Sequence, residues 1–403
     1  MNVLFVHQNF PAQFGYIAQA LKNQRGWNCV YATKWKGECN VLPFVRYEPA
    51  GGTTQRVHFL ARNFENTTRS ALGVYRAVKA AKFRHKPDVV VGHSGFGSTG
   101  FLGELLQCPV VNLFEFFYRP SKGQNFRPEF PIEEEFQKRL HVLNATILLD
   151  LHAAAAGYTP THFQRNQFPR EYLPKIDTLF DGVDTTVYRP NKKLPRVIQG
   201  RTIPDDVRIV TYVSRGFEST RGFDIFIRVA KRIYAEYPNV LFVCAGSNRV
   251  CYGGDLRFIK EKSFREHVEN KEQPDPGKFF YTGLVSTSEL SRILALSDLH
   301  IYFTVPFVLS WSLFNAMSSG CRIVSCRVAP VEEAIIHEQS GLLADFYDVE
   351  GHAQNALKIL RSPADWEHLG TNARRTIEAK YDLARTLPQF MRLLGRATGK
   401  AVD

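Results

Sequence analysis

Two arginines six positions apart carry the strongest chemical signal, Arg215 and Arg221 in TYVSRGFESTRGFDIFIRVAKRI, residues 211–233. A guanidinium can donate two parallel hydrogen bonds to phosphate oxygens. A helix that begins just after the pair would add the positive end of its dipole. The spacing predicts a diphosphate site on a strand-to-helix loop that includes Gly216. A solvated surface loop with two unrelated arginines is the alternative interpretation.

Two further loops follow strand-like runs in the same half of the chain. CAGSNR, residues 244–249, brings small residues, among them Ser247, to the end of a strand, where a ligand can approach the backbone. In FYTGLVSTSELSRILALSDL, residues 280–299, the loop that ends at Val285 has backbone groups available to a base edge. A plain connecting loop explains the second stretch almost as well.

A short helix with polar residues at its start is predicted from VLSWSLFNAMSSG, residues 308–320. Ser310 and Ser312 are typical of a helix N-terminus, with Trp311 between them. Asn315 lies one turn further on, where it would face a ligand and hold a pair of ribose hydroxyls. The alternative for Asn315 is a buried amide that bonds to the neighbouring backbone.

The first half of the chain has its own polar residues at strand ends. His7, Phe10 and Pro11 form a strand-to-helix turn in HQNFPAQF, and His93 follows the strand in VVVGHSGFGSTGF, residues 89–101. The turn lacks G-x-G-x-x-G, which argues against a nicotinamide enzyme. A site-like loop with an imidazole at its lip is one interpretation of residues 89–101, and a structural histidine is the more common one.

Glu115 lies in the aromatic run NLFEFFYRP, residues 112–120. A carboxylate buried among aromatic side chains is costly unless it has a partner. Glu115 is therefore a candidate functional residue. The alternative is a buried ion pair with Arg119 or Arg127.

The composition is that of a globular protein with a large positive charge. The 403 residues carry a net charge of +12, with 44% hydrophobic and 22% charged residues. Nucleic acid, a lipid surface or a phosphorylated substrate would suit this charge, and so would simple solubility. Helix-like residues 68–85 carry several basic side chains. These could contact an anionic membrane or another polyanion, but a solvated helix face is the better interpretation.

The sequence also argues against several classes of protein. No apolar run is long enough to span a bilayer, and the N-terminus is not that of a signal peptide. The seven scattered Cys indicate free thiols in a reducing cytosol. There is no D-x-D, no His/Cys ligand cluster and no P-loop, so no metal and no cofactor are expected beyond a phosphorylated donor substrate.

Alternating apolar runs and helical segments predict parallel sheets covered on both faces. The predicted strands are Val3–Val6, Asn28–Ala32, Val89–Gly92, Val110–Leu113, Ala145–Leu149, Ile209–Val213, Leu241–Ala245, Phe279–Tyr281, Leu299–Phe303 and Arg322–Ser325. The pattern pauses at a linker, residues 190–207, between a domain at 1–189 and a second at 208–362. Helices at 363–403 are expected to cross back to the first domain. Two doubly wound α/β domains predict a ligand cleft at the carboxyl ends of the sheets.

These stretches together resemble the retaining, GT-B-fold glycosyltransferases of family 4. DGVDTTVYRP (181–190) is similar to the element that leads into that family's second domain, and LSWSLFNAMSSGCRIVSCRVAPVEEAI is similar to its signature helix. VHQNFPAQF, FEFFY, RPEFP and the LSWSL-x-x-AM signature resemble a bacterial subgroup. Arg215 and Arg221 match the residues that grip the donor diphosphate. The family pattern has two glutamates where this chain has Phe307 and Asn315.

The resemblance implies two Rossmann-like domains facing a cleft and a metal-independent transfer of a sugar from a UDP- or GDP-sugar to an acceptor hydroxyl, with retention. Arg215, Arg221, Glu115 and His93 are the expected catalytic residues. Gly216, Ser247, Val285, Ser310, Trp311, Ser312 and Asn315 would bind the donor, and His7, Phe10 and Pro11 the acceptor. The expected location is the cytoplasm, where the protein could be peripheral on the inner face of the membrane. The alternatives are an inactive sugar-nucleotide or polyanion-binding homologue and a transferase that acts on nucleic acid.

Overall fold

The computed structural model describes residues 1–403 except 52–55, 97–98, 120–125, 192 and 403. The chain forms two compact units that are interleaved in sequence. The first comprises Met1–Gln124, Glu133–Gly182 and Ala384–Asp403, and the second comprises Asn125–Ile132 and Val183–Leu383. Each unit is an α/β domain with its own parallel sheet.

The first unit contains a seven-stranded sheet in the order β3-β2-β1-β4-β5-β6-β7. Its strands are β1 (Asn2–Val6), β2 (Asn28–Thr33), β3 (Phe44–Arg46), β4 (Val89–His93), β5 (Val110–Leu113), β6 (Ala156–Thr159) and β7 (Ile176–Thr178). Its helices up to this point are α1 (Gly15–Arg25), α2 (Arg62–Ala80), α3 (Leu102–Leu106), α4 (Glu134–Ala153) and α5 (His162–Arg165).

All pairs of neighbouring strands in this sheet are parallel. The central strands are almost wholly apolar and buried, as expected for a sheet that is covered by helices on both faces. One core cluster includes Leu4, Val6, Val74, Val78 and Val90, which joins β1 and β4 to helix α2. The strand order reverses between β1 and β4, so the carboxyl ends of these two strands flank a topological switch point.

The second unit contains a six-stranded sheet in the order β12-β11-β10-β13-β14-β15, with a small antiparallel pair β8–β9. Its strands are β8 (Val197–Ile198), β9 (Arg201–Thr202), β10 (Arg208–Gly216), β11 (Val240–Ser247), β12 (Phe279–Gly283), β13 (Leu299–Tyr302), β14 (Ile323–Cys326) and β15 (Leu342–Ala344). Its helices are α6 (Phe223–Glu236), α7 (Phe264–Glu272), α8 (Thr287–Ala295), α9 (Trp311–Ser318), α10 (Ala329–Glu332), α11 (Val349–Arg361) and α12 (Glu367–Thr376).

The six-stranded sheet is also parallel throughout, and it reverses its order between β10 and β13. Helix α6 lies on this sheet through a buried face that includes Phe223, Phe226 and Ile233. The ring of Phe226 stacks on Tyr212 of β10, with 4.4 Å between the ring centroids. These contacts fix the turn between β10 and α6, which carries Arg221.

The last helix, α13 (Leu383–Thr398), belongs to the first unit from Ala384 onwards. Its Phe390 ring packs against Phe5 of β1 and Tyr158 of β6, at centroid distances of 6.4 and 5.7 Å. Residues 190–207, the expected linker, lie within the second unit, where β8 and β9 form their pair. Two chain segments besides the N-terminal one thus contribute to the first unit.

The predicted strands agree with the structure except at Ala145–Leu149, where the prediction is wrong. These residues belong to helix α4, whose bounds are Glu134–Ala153. A short apolar run has the same appearance in a buried strand and in a buried helix segment, which explains the error. Strands β3, β6, β7, β8, β9 and β15 are absent from the prediction, and the helix predicted over residues 68–85 runs instead over Arg62–Ala80.

Candidate active site

Arg221 is fixed at the carboxyl end of the second sheet. It closes a short turn, Ser219–Arg221, that follows β10, and its side chain is buried. One guanidinium nitrogen, Nη1, donates to Thr304 Oγ1 at 2.7 Å, to the Val308 carbonyl at 2.9 Å and to the Tyr302 hydroxyl at 3.4 Å. These acceptors hold the charge in one orientation beside the strand ends.

Aromatic side chains line the other side of this guanidinium. Arg221 lies over the ring of Tyr252, 5.0 Å from its centroid, and Tyr252 packs edge-on against Phe307 at 5.8 Å. Burial disfavours the charged form, but the surrounding tyrosines and the Glu218 carboxylate together offset it, and the pKa of Arg221 is raised. Arg221 is therefore a permanent cation in an aromatic setting.

Two buried carboxylates hold the backbone around the turn. Glu218 Oε2 accepts the N–H groups of Cys251, Tyr252 and Gly253 at 2.8, 2.8 and 3.0 Å. Asp255 accepts the N–H of Ser219 at 3.1 Å and also its hydroxyl. Burial raises the pKa of Asp255 to about 6. The turn after β10 and the segment 251–255 therefore behave as one hydrogen-bonded structure.

Arg215, Gly216 and Ser247 lie at the ends of β10 and β11. Arg215 is exposed, and its carbonyl accepts the Ser247 hydroxyl at 2.6 Å. Gly216 is buried so close to the next strand end that an added Cβ would lie 2.1 Å from the Arg249 carbonyl. The structure thus brings these three predicted residues together, with Arg215 accessible and Arg221 buried.

Helix α9 begins as the sequence predicts, with Ser310 as its N-cap. The Ser310 hydroxyl accepts the N–H of Ser312 at 3.3 Å and the Ser312 hydroxyl at 2.9 Å. Trp311 and Asn315 are half-buried. The Ser310 N–H donates to the Tyr302 hydroxyl at 2.9 Å, which connects the start of this helix to Arg221.

The side chain of Val285 contacts residues other than those around Arg221 and helix α9. Its side chain packs against the apolar cluster that includes Ile198, Ile209 and Ile293. A ligand contact at this position would therefore be made by the backbone. The following helix α8 has Ser286 as its N-cap, whose hydroxyl accepts the N–H of Glu289 at 3.2 Å.

His7, His93 and Glu115 come together in the first unit, at the ends of β1, β4 and β5. The imidazoles of His7 and His93 stack with 5.5 Å between centroids, and His93 Nε2 lies 3.5 Å from Glu115 Oε2. His93 is buried, whereas the Glu115 side chain is 35% exposed. Phe96 packs on the His93 ring at 4.7 Å.

A fourth titratable group, missed by the sequence analysis, supports this cluster from helix α4. Asp150 Oδ2 accepts the Ser94 hydroxyl at 2.8 Å and the Gly95 N–H at 3.1 Å. Burial raises the pKa of Asp150 to about 6, although both hydrogen bonds act in the opposite direction. Asp150 therefore holds the loop that follows His93.

Phe10 and Pro11 have other surroundings. Phe10 packs with Tyr31, Trp35 and Phe44, at centroid distances of 5.1, 5.2 and 5.0 Å. The Pro11 carbonyl accepts the Gly15 N–H at 2.7 Å and the Tyr31 hydroxyl at 3.2 Å. Both residues therefore shape an aromatic cluster at the ends of β1, β2 and β3.

The alternative partners of Glu115 have contacts of their own. Arg119 Nε donates to the Gln167 carbonyl at 2.6 Å, and its guanidinium lies 5.5 Å from the Phe117 ring centroid. Arg127 is in the second unit, where it pairs with Asp224. Glu115 Oε2 lies within ion-pair distance of His93 Nε2.

Two absences apply to the described part of the chain, outside the gaps given above. No cluster of three or more His, Cys, Asp or Glu side chains is arranged to hold a metal ion there. None of the helices in that part combines the length and the apolar character that crossing a membrane requires.

Comparison with known proteins defines the class. Residues 25–188 match the model described as glycosyl transferase family 4 group, and residues 195–376 match the model described as glycosyl transferases group 1. The chain thus consists largely of two glycosyltransferase domains, and it is assigned to that class of transferases. Its fold is GT-B, with two Rossmann-like domains.

Solved structures of the same fold include HepE from Anabaena in complex with UDP and glucose, 14% identical with a TM-score of 0.73, over 98% of this chain and 100% of that one. Sucrose-phosphate synthase from Thermosynechococcus elongatus is 16% identical with a TM-score of 0.74, over 99% of both chains. At these identities the likeness concerns the fold.

Curated relatives are also distant. N-acetyl-alpha-D-glucosaminyl L-malate synthase of Bacillus anthracis is 20% identical over 53% of this chain and 52% of that protein. 2-deoxystreptamine N-acetyl-D-glucosaminyltransferase of Niallia circulans is 24% identical over 43% of this chain and 41% of that protein. The chain spans about half the length of the curated relatives that it matches.

Proposed function

We propose that this chain transfers a sugar from a nucleotide-diphosphate sugar, linked to UDP or GDP, to an acceptor hydroxyl. The anomeric configuration is retained and no metal is required. The observation that carries the proposal is the cation of Arg221, fixed where the order of the second sheet reverses, with the exposed Arg215 at the end of the same strand. Ligands of open α/β sheets bind at such switch points.

The two arginines act on the leaving group. Transfer breaks the bond between the anomeric carbon and the diphosphate oxygen, and negative charge builds on that diphosphate. A cation that is already oriented costs no reorganisation when this charge develops, and one such donor is typically worth about 3 kcal/mol. Nη1 of Arg221 is engaged with protein acceptors, so the rest of its guanidinium and that of Arg215 would face the phosphates.

Donor recognition beyond the phosphates would use the start of helix α9 and the neighbouring strand ends. Ser310, Trp311 and Ser312 would lie beside the diphosphate and sugar, and Asn315 would bond to the ribose hydroxyls as both donor and acceptor. Gly216 and Ser247 would admit the nucleotide close to the backbone, and Val285 would contribute backbone groups to the base.

The acceptor would use the first unit. Its hydroxyl oxygen forms the new bond to the anomeric carbon, and its proton passes to the departing phosphate oxygen, so no separate base is needed. Glu115, whose side chain is 35% exposed, would orient this hydroxyl, and the buried His93 would position the Glu115 carboxylate. His7 stacks on His93 and would extend the same surface, with Phe10 and Pro11 at its border.

A second candidate function is binding of a sugar nucleotide without turnover. Phe307 occupies a position where the resemblance implies a glutamate that contacts the donor sugar, and its ring packs on Tyr252. An aromatic ring cannot replace a carboxylate as a hydrogen-bond acceptor. This substitution is the observation that favours an inactive binding protein.

A ligand panel followed by a turnover assay tests both candidates. Purified protein is titrated with UDP, GDP, ADP and dTDP and with their sugars while thermal unfolding is followed. A ligand at one hundred times its Kd stabilises the folded state by about 2.7 kcal/mol. Stabilisation by none of them would refute both candidates.

Turnover then separates the enzyme from the binding protein. Release of UDP or GDP from a stabilising donor, unchanged by EDTA, supports the metal-independent transferase, and binding without release supports the second candidate. NMR of the product tests retention at the anomeric carbon. The double variant Arg215→Ala/Arg221→Ala should lose binding, and unchanged turnover in it would contradict the assignment of these residues.

We also propose that the acceptor is anionic or lies at the inner face of a membrane, with the protein in the cytoplasm. Arg62, Arg76 and Lys79 are exposed on helix α2. Lys82 and Arg84 follow the helix and are exposed too. Each basic side chain near an anionic bilayer contributes about 1 kcal/mol of attraction.

Co-sedimentation with vesicles tests this location. Vesicles rich in phosphatidylserine should retain the protein at low salt and release it at high salt, and neutral vesicles should not retain it. Steep salt-dependent binding to DNA or RNA, with no binding to vesicles, would instead favour a nucleic acid acceptor.

A further inference from the structure

A short segment of the first half of the chain belongs to the second unit. Phe126–Ile132 lies in sequence between β5 and α4, which are elements of the first unit, yet its contacts are with the second. Phe126 packs edge-on against Phe346 at 5.1 Å, and Phe130 packs against Phe264 at 5.3 Å. We call residues 126–132 the strap.

Arg127 is the centre of the strap. Its side chain is only 5% exposed, and it makes a two-pronged ion pair with Asp224, with Nη1–Oδ1 at 3.1 Å and Nη2–Oδ2 at 2.7 Å. Phe346 and Tyr347 lie under its guanidinium at 5.3 and 5.6 Å from their ring centroids. A guanidinium so enclosed has a single orientation.

The same guanidinium reaches the turn that carries Arg221. Nη1 of Arg127 donates to the Ser219 carbonyl at 2.5 Å. Ser219 is held from the opposite side, because Asp255 accepts its N–H and its hydroxyl. Asp224, the ion-pair partner, lies in the first turn of helix α6, two residues after Gly222. Arg127 therefore bonds to both ends of the segment Ser219–Asp224.

We infer that Arg127 is a positioning residue for the donor diphosphate: it orders the turn 219–222 and so orients Arg221. This inference rests on the proposed function. Arg127 does not have to touch the substrate, because its contacts already account for its own charge. Its effect reaches the ligand through the backbone of the turn.

Three variants test the inference. Arg127→Ala removes both contacts, and Asp224→Asn removes the ion pair while it keeps the size of the side chain. Arg322→Ala is the control, since that half-buried arginine directly precedes β14, at the amino ends of the strands, and donates to the Pro363 carbonyl. Thermal unfolding of the three shows whether their losses of stability are comparable.

Hydrogen exchange of the ligand-free proteins is the first readout. Amides of residues 219–222 should exchange on the order of tenfold faster in Arg127→Ala than in wild type, and faster in Asp224→Asn, but not in Arg322→Ala. If these amides exchange in Arg127→Ala at the same rate as in wild type, the inference is overturned, whatever nucleotide affinity is found.

Nucleotide affinity is the second readout. Titration calorimetry with UDP and GDP should show Kd weakened roughly tenfold in Arg127→Ala, equal to about 1.4 kcal/mol. Guanidinium ion at millimolar concentration should restore part of this affinity in Arg127→Ala and none in Arg322→Ala. Unchanged Kd would overturn the inference. If wild type binds neither nucleotide, the proposed function fails, while the exchange experiment still decides whether Arg127 orders the turn.

Discussion

Arg221 and Ser310 share one acceptor, the hydroxyl oxygen of Tyr302. Nη1 of Arg221 donates to it at 3.4 Å, and the Ser310 N–H donates to it at 2.9 Å. Burial raises the pKa of this phenol, so it remains neutral at physiological pH. One buried side chain on β13 thus links the turn after β10 to the first residue of helix α9.

Replacement of Tyr302 by Phe should weaken nucleotide binding without removing any charge. The Ser310 N–H loses its acceptor, and Arg221 loses one of three. An unsatisfied buried donor costs about 1–3 kcal/mol, so the free energy of unfolding should fall by this amount and Kd for the nucleotide should rise severalfold. Urea unfolding and calorimetry measure the two effects.

Tyr234→Phe provides the control for this substitution. The Tyr234 hydroxyl accepts the Asp275 N–H at 3.2 Å, near the C-terminal end of helix α6, whereas the turn that carries Arg221 precedes its N-terminal end. This variant should keep the wild-type Kd. Equal nucleotide affinity in Tyr302→Phe and wild type would show that the link between the two elements is irrelevant to the ligand.

Glu115→Gln should separate turnover from donor binding. Glu115 lies with His93 in the first unit, whereas the arginines proposed for the diphosphate lie in the second. Loss of the carboxylate charge should lower kcat about a hundredfold, which is typical when a reacting group is no longer held in position. The nucleotide Kd should not change. Glu104→Gln, at an exposed position of the same unit, should leave both constants unchanged.

Most of the fold could be predicted from the sequence, and the failures have physical causes. The central strands are apolar runs bounded by turn residues, which is typical of a parallel sheet covered on both faces. The missed strands β3 (FVR) and β7 (IDT) are three residues long, and β3, β7 and β15 are sheet edges. An edge strand this short leaves too little periodicity to recognise.

The candidate site divides in the same way. Arg215, Arg221 and Ser310 lie in local patterns with a direct chemical meaning, and the sequence identifies them. Tyr302, Tyr252 and Arg127 reach Arg221 or its turn from positions 31 to 94 residues away, as the numbering shows. Only the assembled fold brings them there. Asp150 is missed for a related reason, because the apolar run that precedes it in helix α4 has the same appearance in a buried strand.

Asp150→Asn should change how stability depends on pH. The folded-state pKa of Asp150 is about 6, above the ordinary value of 3.8. The folded state therefore binds the proton more tightly, and wild type gains stability as pH falls from about 7 to about 4. The gain attributable to this group is about 3 kcal/mol, from roughly 1.4 kcal/mol for each pH unit. Urea unfolding at several pH values should show wild type losing stability relative to Asp150→Asn as pH rises.

Asp88 provides a control of opposite sign. Burial alone would raise the pKa of Asp88, but the Lys400 ammonium at 2.6 Å and the Asn2 N–H at 2.7 Å lower it, and the net shift is downward. The contribution of Asp88 to the free energy of unfolding is thus present at pH values above its ordinary pKa. It is lost as pH falls through the lowered pKa of the folded state. Wild type should lose stability relative to Asp88→Asn as pH falls. A parallel response of the two variants would contradict the assigned directions.

Gly222→Ala tests whether the geometry of the turn itself matters. Gly222 has φ +60°, and an added Cβ would lie 2.6 Å from Cβ of Phe303. Gly283 has φ +69°, but an added Cβ would have no heavy atom within 4 Å. Both alanines bear the left-handed backbone cost of about 1 kcal/mol, and only Gly222→Ala adds a steric clash worth roughly 1–3 kcal/mol. Because Phe303 is buried, relief of the clash requires the turn and Arg221 to shift. We therefore expect Gly222→Ala to unfold at lower urea than Gly283→Ala and to bind nucleotide more weakly, whereas equal unfolding midpoints and equal Kd values would mean that the turn tolerates displacement.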